Sequence, residues 1–360
     1  MKRKGRLGLV LSLITALVIC VFTGCISFRF NSYGLAEVEV FHQKLGVSSR
    51  FDDGPYVVEE DGQWYSLGVV AGEAKKQVIN SAPAEPVREP AVYENVEHIA
   101  VVSDIHGQYD LFIELLQANG IINEELNWAF KAGHLVVLGD VFDRGHAVTE
   151  CLWLIYKLEI QAAESGGKVH FVWGNHELMV WKSDLAFTNH KYLKTAEILQ
   201  MPYTDLYAPS TLLGRWLLSK PVMLKINDCL FVHAGISRAV ADRVPHIDSM
   251  NTLYRLALRK ESKTKSDDWL LGPMGVLWYR GFLKDPDYNQ QLDTILEQYG
   301  ANYLISGHTT HSHIQELYGG RMYLIDAGIK YGKRGEMLYI DKGAFSVKNE
   351  EGETIRARNP

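Results

Sequence analysis

The sequence predicts an α/β protein: a two-layered mixed β-sandwich flanked by helices, with a small N-terminal β appendage. Three observations predict it. Apolar runs of strand length alternate with segments of helical period between positions 98 and 173. Five closely spaced strand-like runs then follow from position 221 onward, which argues a mixed sandwich over a purely parallel sheet. A separate strand-turn-strand pattern precedes a proline-rich stretch that can sustain neither helix nor central strand.

Residues 1–24 stand outside this fold. Lys2, Arg3, Lys4 and Arg6 precede an apolar run ending near Phe22, the layout of a secretory leader. Thr23 and Gly24 before Cys25 resemble the lipobox of bacterial lipoproteins, which implies lipid attachment at Cys25 and an exported chain, anchored to a bacterial membrane and facing the periplasm or the cell exterior. An uncleaved membrane anchor and a soluble exported protein are the alternatives.

Residues 25–80 form the β-rich segment, in which the runs of "RFDDGPYVVEEDGQWYSLGVV" flank Asp61-Gly62, a hairpin signal. Residues 81–95, "APAEPVREP" among them, read as an extended linker. The main domain is expected over 96–345. Its strands are "HIAVVS", "HLVVLG", "KVHFVW", "PVMLKI", "CLFVHA", "NYLISG", "MYLIDA" and "EMLYID". Helices are expected through Leu111 to Ala118 and through Val148 to Ala163. Two mostly helical insertions, 185–220 and 237–270, are longer than ordinary connections and either wall a site or cover one face of the sheet. Residues 346–360 read as a polar tail.

The chain has 360 residues, 47% of them hydrophobic and 22% charged, the make-up of an ordinary globular protein. Without residues 1–24, 33 basic face 43 acidic side chains, a balance of −10 that repels nucleic acid. Cys20 lies in the leader; Cys151 and Cys229 sit in apolar runs and are expected to be buried free thiols.

Chemistry concentrates just past the strand ends. "VVSDIHG" brings Asp104 and His106; "GDVFDRG" brings Asp140, Asp143 and Arg144; "FVWGNHE" brings Asn175, His176 and Glu177; "FVHAG" brings His233; and "LISGHT" brings His308. Singly, such an aspartate is a helix cap and such a histidine a hydrogen-bonded core residue. Five strand ends delivering them to one sheet edge argue for a site. Mixed carboxylate and imidazole donors suit manganese, iron or zinc better than magnesium or calcium. Asp104, His106, Asp140, Asn175, His233 and His308 make six protein ligands, enough for two divalent ions if one carboxylate bridges. Two-metal sites activate water against phosphate esters. Arg144 and Arg280 are suited to bidentate contact with phosphate oxygens, though Arg280 alone also fits an ion pair at the core rim. His176, oriented by Asp143, is placed to protonate the leaving oxygen. His311 and His313 in "GHTTHSH" are expected to be exposed, with His311 the better candidate for a supporting role.

In this order, "DIHG", "GDVFDRG", "GNHE", "HAG" and "GHT" resemble the phosphoprotein phosphatase superfamily of calcineurin-like, dinuclear metallophosphoesterases, over Val96 to Tyr339. The resemblance implies one metal on Asp104, His106 and Asp140, and a second on Asp140, Asn175, His233 and His308, with Asp140 shared and manganese favoured. "GDVFDRG", "LWYRG" at 277–281 and "DDGPYV" at 52–57 look like the bacterial Shewanella-like branch. It implies Arg144 and Arg280 on the phosphate, His176 and Asp143 as the acid pair, and Glu177 behind the ligands. The eukaryotic serine/threonine enzymes carry a "SAPNY" loop after the last metal histidine, which this chain lacks, and the branch is known to act on phosphotyrosine. The expected activity is therefore removal of phosphate from phosphoproteins or phosphopeptides, phosphotyrosine favoured. Dinucleoside polyphosphate hydrolysis is the first alternative, since those enzymes share nearly the same motifs; a non-catalytic phosphate- or metal-binding lipoprotein is the second.

Overall fold

The structure, a computed structural model, describes residues 26–30, 36–40, 51–259 and 268–355. The expected leader and the expected lipidation site at Cys25 lie outside the described residues. Two six-stranded sheets make the body. One runs, in spatial order, Gln315–Leu317, Met322–Leu324, Tyr303–Ser306, Cys229–Val232, Met223–Ile226 and Val92–Tyr93. The other runs Thr354–Ile355, Ala344–Asn349, Glu336–Asp341, His98–Val102, His134–Val137 and Lys168–Phe171. Each sheet holds both parallel and antiparallel pairs, so both are mixed.

Why the strands read as unbroken apolar runs is now plain. Ile99, Val101 and Val136 of one sheet meet Leu224, Phe231 and Ile305 of the other in a core between the layers. The alternate residues Ala100, Val102, Leu135, Val137 and Phe171 face outward into a second core beneath the helices. Strands buried on both faces lose the polar alternation of a solvent-facing sheet. The helices Tyr109–Ala118 and Val148–Glu164 cover that outer face as expected, Phe112, Leu115, Leu116, Leu152 and Ile155 being fully buried. Cys151 and Cys229 are buried free thiols.

The N-terminal β segment contains an antiparallel three-stranded sheet, Asp53–Glu60, Gln63–Val70 and Glu73–Ile79. Both connections are two-residue turns, Asp61-Gly62 and Ala71-Gly72, with positive φ at all four positions, the twist a right-handed hairpin needs. The sheet is docked rather than pendant. Tyr56, Val57, Val58 and Leu67 join the core under the helices, Trp153 Nε1 donates to the Pro55 carbonyl at 2.9 Å, and Glu59 N donates to Ser210 O at 2.8 Å. Two sequence expectations need correction. The stretch read as a linker ends in the strand Val92–Tyr93, paired in parallel with Met223–Ile226. The polar tail is structured where described: Ala344–Asn349 pairs with Glu336–Asp341, and Tyr323 stacks on Phe345 across the two sheets at 4.8 Å. Polar residues hid this strand because only Val347 within it is buried.

Candidate active site

All five motif-bearing strands end at one edge of the sandwich, and a sixth, Met322–Leu324, joins them there with Asp326. The loops that follow are tightly drawn. Asp104, His106, Asp140, Asp143, Arg144 and His308 all hold positive φ, between 48° and 70°. For residues with a Cβ such geometry costs roughly 1–3 kcal/mol each and persists only where the surroundings over-determine it. Here they do: Asp104 N donates to Gly139 O, His106 N to Asp140 O, and Gly307 N to His233 O. The glycines permit this approach, since a Cβ on Gly174 would stand 2.2 Å from Asp140 Oδ1 and one on Gly307 1.9 Å from Ser103 Oγ.

Asp140 is the centre. Its Oδ2 lies 3.2 Å from His233 Nε2, 3.7 Å from His106 Nε2 and 3.9 Å from His176 Nε2. Two groups of donors result, each with ligand atoms within 4.8 Å of one another: His106, Asp140 and His176, and Asp140, His233 and His308. The shared member is the one expected to bridge. Asn175 Oδ1 is 2.9 Å from His233 Nε2. Asp104 belongs to neither group: its Oδ2 accepts from Ser103 Oγ at 2.5 Å and from His308 N at 2.9 Å. His176 stands in the first group where Asp104 was expected.

The imidazoles are set by what their other nitrogens touch. His106 Nδ1 faces the Phe142 carbonyl at 2.6 Å, and His233 Nδ1 the Leu138 carbonyl at 2.7 Å. A carbonyl only accepts, so both rings carry a proton on Nδ1 and turn Nε2 toward Asp140. Burial holds His106 down to about 3, neutral and able to coordinate. His308 is held at about 2 by burial and then by His233, and its Nε2 is buried with no hydrogen-bond partner among the described residues. His176 differs, because its Nδ1 donates to a carboxylate, Asp143 Oδ2, at 2.6 Å, and Thr188 Oγ1 steadies that carboxylate at 2.9 Å.

Charge completes the fit to cations. Asp104, Asp140 and Asp326 are 2%, 2% and 0% exposed. Burial, then Asp326 and Asp140, push the Asp104 carboxyl well up. Burial works against ionisation of His233, yet Asp140 at hydrogen-bonding distance raises it to about 10. Buried carboxylates that press on one another and draw a proton onto a buried imidazole call for positive charge. The orphaned Nε2 of His308 and the Nε2 atoms that His106 and His233 aim at Asp140 stand ready for it, so the residues fit divalent ions.

Around this centre, Arg280 Nη2 donates to His308 O at 3.1 Å and feels Asp104, Asp140 and Asp326. Arg144 is exposed, its Cζ 5.1 Å over the Phe187 ring. Glu177 lies behind the ligands. Asp326, which the motifs did not single out, accepts from Thr310 Oγ1 at 2.5 Å and lies 3.5 Å from Lys330 Nζ. Its signal was the same as the others', an aspartate one residue past the run "MYLI". His313 is not exposed as expected: it is 18% exposed and pairs with Glu336 at 2.5 Å. His311 is half-buried, its Nε2 buried without a hydrogen-bond partner among the described residues.

Residues 97–312 match the family model described as calcineurin-like phosphoesterase. The chain is 34% identical to a cold-active protein-tyrosine phosphatase of a psychrophilic Shewanella species, whose crystal structure superposes with a TM-score of 0.80 over 85% of this chain and 99% of that one. It is 28% identical over 252 residues to Shewanella-like protein phosphatase 1 of Plasmodium berghei, covering 66% of this chain and 69% of that protein. A protein serine/threonine phosphatase of Saccharomyces cerevisiae shares the fold at 16% identity and a TM-score of 0.51, over 75% of this chain and 85% of that one.

Proposed function

The chain belongs to the calcineurin-like phosphoesterase family and is a metal-dependent phosphoprotein phosphatase, and on that premise we propose that its preferred substrate is a phosphotyrosyl side chain of a protein or peptide. The observation that carries this reading is the convergence of three imidazole Nε2 atoms on the Asp140 carboxylate, with His176 alone among them backed by a second carboxylate. The preference for tyrosine draws on the protein-tyrosine phosphatase to which the chain is 34% identical. The missing "SAPNY" loop agrees with it.

By the family resemblance, Asp104, His106 and Asp140 would hold one ion, and Asp140, Asn175, His233 and His308 the other. Manganese is favoured over iron and zinc. Bound there, the ions supply Lewis acidity toward phosphoryl oxygens and lower the pKa of water. Arg144 and Arg280 bind and orient the phosphoryl group. His176, its ring held at Nδ1 by Asp143, presents an Nε2 proton to the leaving oxygen. As a water oxygen bonds to phosphorus and the bond to the leaving oxygen breaks, that proton passes to the leaving oxygen, giving an unphosphorylated tyrosyl side chain and inorganic phosphate. Cys25 carries a lipid that anchors the exported chain to a bacterial membrane.

The test is an activity screen of the purified chain against phosphotyrosyl peptide, phosphoseryl peptide and a dinucleoside polyphosphate, with manganese, iron and zinc supplied separately. The expected result is manganese-supported hydrolysis ranked phosphotyrosyl first. Faster cleavage of the dinucleoside polyphosphate, or equal rates on the two peptides, overturns the preference. Membrane association of a Cys25→Ala variant equal to wild type overturns the lipid anchor.

A further inference from the structure

We infer that Phe187 is the residue that selects the leaving group, a platform on which the aryl ring of the substrate packs while His176 protonates its oxygen. The inference rests on the phosphatase reading of the same site and names the side chain through which tyrosine is preferred.

Phe187 is a large apolar side chain left 47% exposed at the site. Isolated exposed apolar residues are common and need no function. What separates this one is how it is held and what it faces. The turn after helix Asn175–Trp181 is laced to the loop bearing Asp143 and Arg144. Arg144 N donates to Phe187 O at 2.9 Å, Thr188 Oγ1 donates to Asp143 Oδ1 at 2.9 Å, and Asn189 Nδ2 donates to Arg144 O at 2.8 Å. Three successive residues of the turn thus fix the ring relative to the acid pair and the arginine. The ring centroid lies 5.3 Å from that of His176 at 64°, and the Arg144 guanidinium sits 5.1 Å away.

The consequence is geometric. With the phosphoryl group on Arg144 and the leaving oxygen at His176, whatever is attached to that oxygen leaves the pocket beside the Phe187 ring. A tyrosyl substituent presents a flat aromatic ring there, directly bonded to the oxygen. A seryl substituent presents one methylene and then backbone. Aromatic pairs gain from offset or edge contact beyond the area they bury. A single methylene buries far less area against that wall than an aryl ring does. The discrimination expected from one such contact is about tenfold.

Phosphotyrosyl and phosphoseryl peptides of otherwise identical sequence test this. For Phe187→Ala, the ratio of kcat/KM on the phosphotyrosyl peptide to kcat/KM on the phosphoseryl peptide should fall about tenfold from wild type, and Phe187→Leu should fall between the two. Metal content of each variant is measured alongside. A merely structural role moves the ratio the other way. If loss of the ring only disturbed His176, the seryl substrate would suffer more, because a phenol leaves with a pKa near 10 and an alkoxide, far more basic, depends more on its proton. An unchanged or rising ratio in Phe187→Ala, with the wild type active on both peptides, overturns the inference alone. A wild-type chain that hydrolyses neither peptide with any of the three metals overturns the phosphatase reading and the inference with it.

Discussion

Glu177 and Asp140 brace each other through the backbone. Glu177 Oε2 accepts from Asp140 N at 2.8 Å and from Gly174 N at 2.7 Å, and its Oε1 accepts from Val141 N at 2.8 Å and Phe142 N at 3.2 Å. In return Asp140 Oδ1 accepts from His176 N at 2.9 Å. One buried carboxylate thereby gathers four N–H donors and ties the loop after strand His134–Val137 to the start of helix Asn175–Trp181. A glutamine in its place turns an NH₂ toward two of those donors. Glu177→Gln should lower stability by about 1–3 kcal/mol and cut metal affinity or turnover about 10–100-fold. Thermal unfolding and metal analysis of the same preparation check it; unchanged values for both would remove the brace.

Asp53 reaches the site from the N-terminal sheet. Its Oδ2 accepts from Tyr56 OH and Thr195 Oγ1, both at 2.7 Å, and its Oδ1 pairs with Lys191 Nζ at 3.0 Å. Lys191 Nζ also donates to His146 O at 2.9 Å, two residues past Arg144, and Tyr192 OH donates to the same carbonyl at 2.9 Å. Breaking a buried charge pair costs about 3–5 kcal/mol when one partner is stranded. Lys191 keeps Glu150 at 2.9 Å, so the cost falls below that range. Asp53→Asn should destabilise the chain by about 1–3 kcal/mol and raise KM several-fold with a smaller change in kcat, because the displaced group binds phosphate. Steady-state kinetics beside denaturant unfolding check it, and a fall in kcat at constant KM would contradict it.

How legible was this in the sequence? The strand ends bearing Asp104, Asp140, Asn175, His233 and His308 stood out because doubly buried strands are unbroken apolar runs, and a polar residue just past one is conspicuous. Asp326 followed the same rule without a recognisable motif around it. Strand Glu73–Ile79 escaped because its residues are exposed throughout most of its length, leaving no apolar period, and only the Ala71-Gly72 turn marked it. Docking of the N-terminal sheet through Trp153 and Ser210 is a long-range contact with no local signature. Nor does any local pattern foretell left-handed φ at Asp104, His106 or Arg144. That geometry is imposed by neighbouring strands, and it is what packs so many donors into one pocket.

The Asp140 carboxylate is common to both donor groups, and its loss should empty both. Asp140→Asn keeps the shape and removes the charge that draws a cation toward His106, His233 and His308. Bound metal should fall from two equivalents toward none, and hydrolysis should drop below detection. A chelator separates this from simple misfolding. Ligands that bind only the folded state stabilise it by mass action, so chelation should lower the wild-type melting temperature and leave that of Asp140→Asn unmoved. A variant that still loses stability on chelation would retain a site and contradict the shared carboxylate.

Elsewhere on the same strands, His170 Nε2 and His134 Nδ1 are 3.0 Å apart, with the Tyr93 ring 4.7 Å from His170 and 5.6 Å from His134. One ring donates to the other across that contact, so at least one of the two is neutral. Burial, then Lys168, lowers His134 to about 4, and burial, then His134, holds His170 well below its ordinary value. In the unfolded chain both titrate near 6.5. Between about 6.5 and 4 the unfolded state therefore takes up protons that the folded state refuses. Stability present above pH 6.5 is lost as pH falls through that window. His170→Gln keeps a polar partner for His134 and removes one titrating ring, so its stability should decline less steeply over the same range. Acid also releases metal from the active site, so the comparison belongs in the Asp140→Asn background, where that source is gone. Melting temperatures from pH 7 to pH 4 check it: converging curves for the two proteins on acidification support the buried pair as an acid-sensitive element, and parallel curves exclude it.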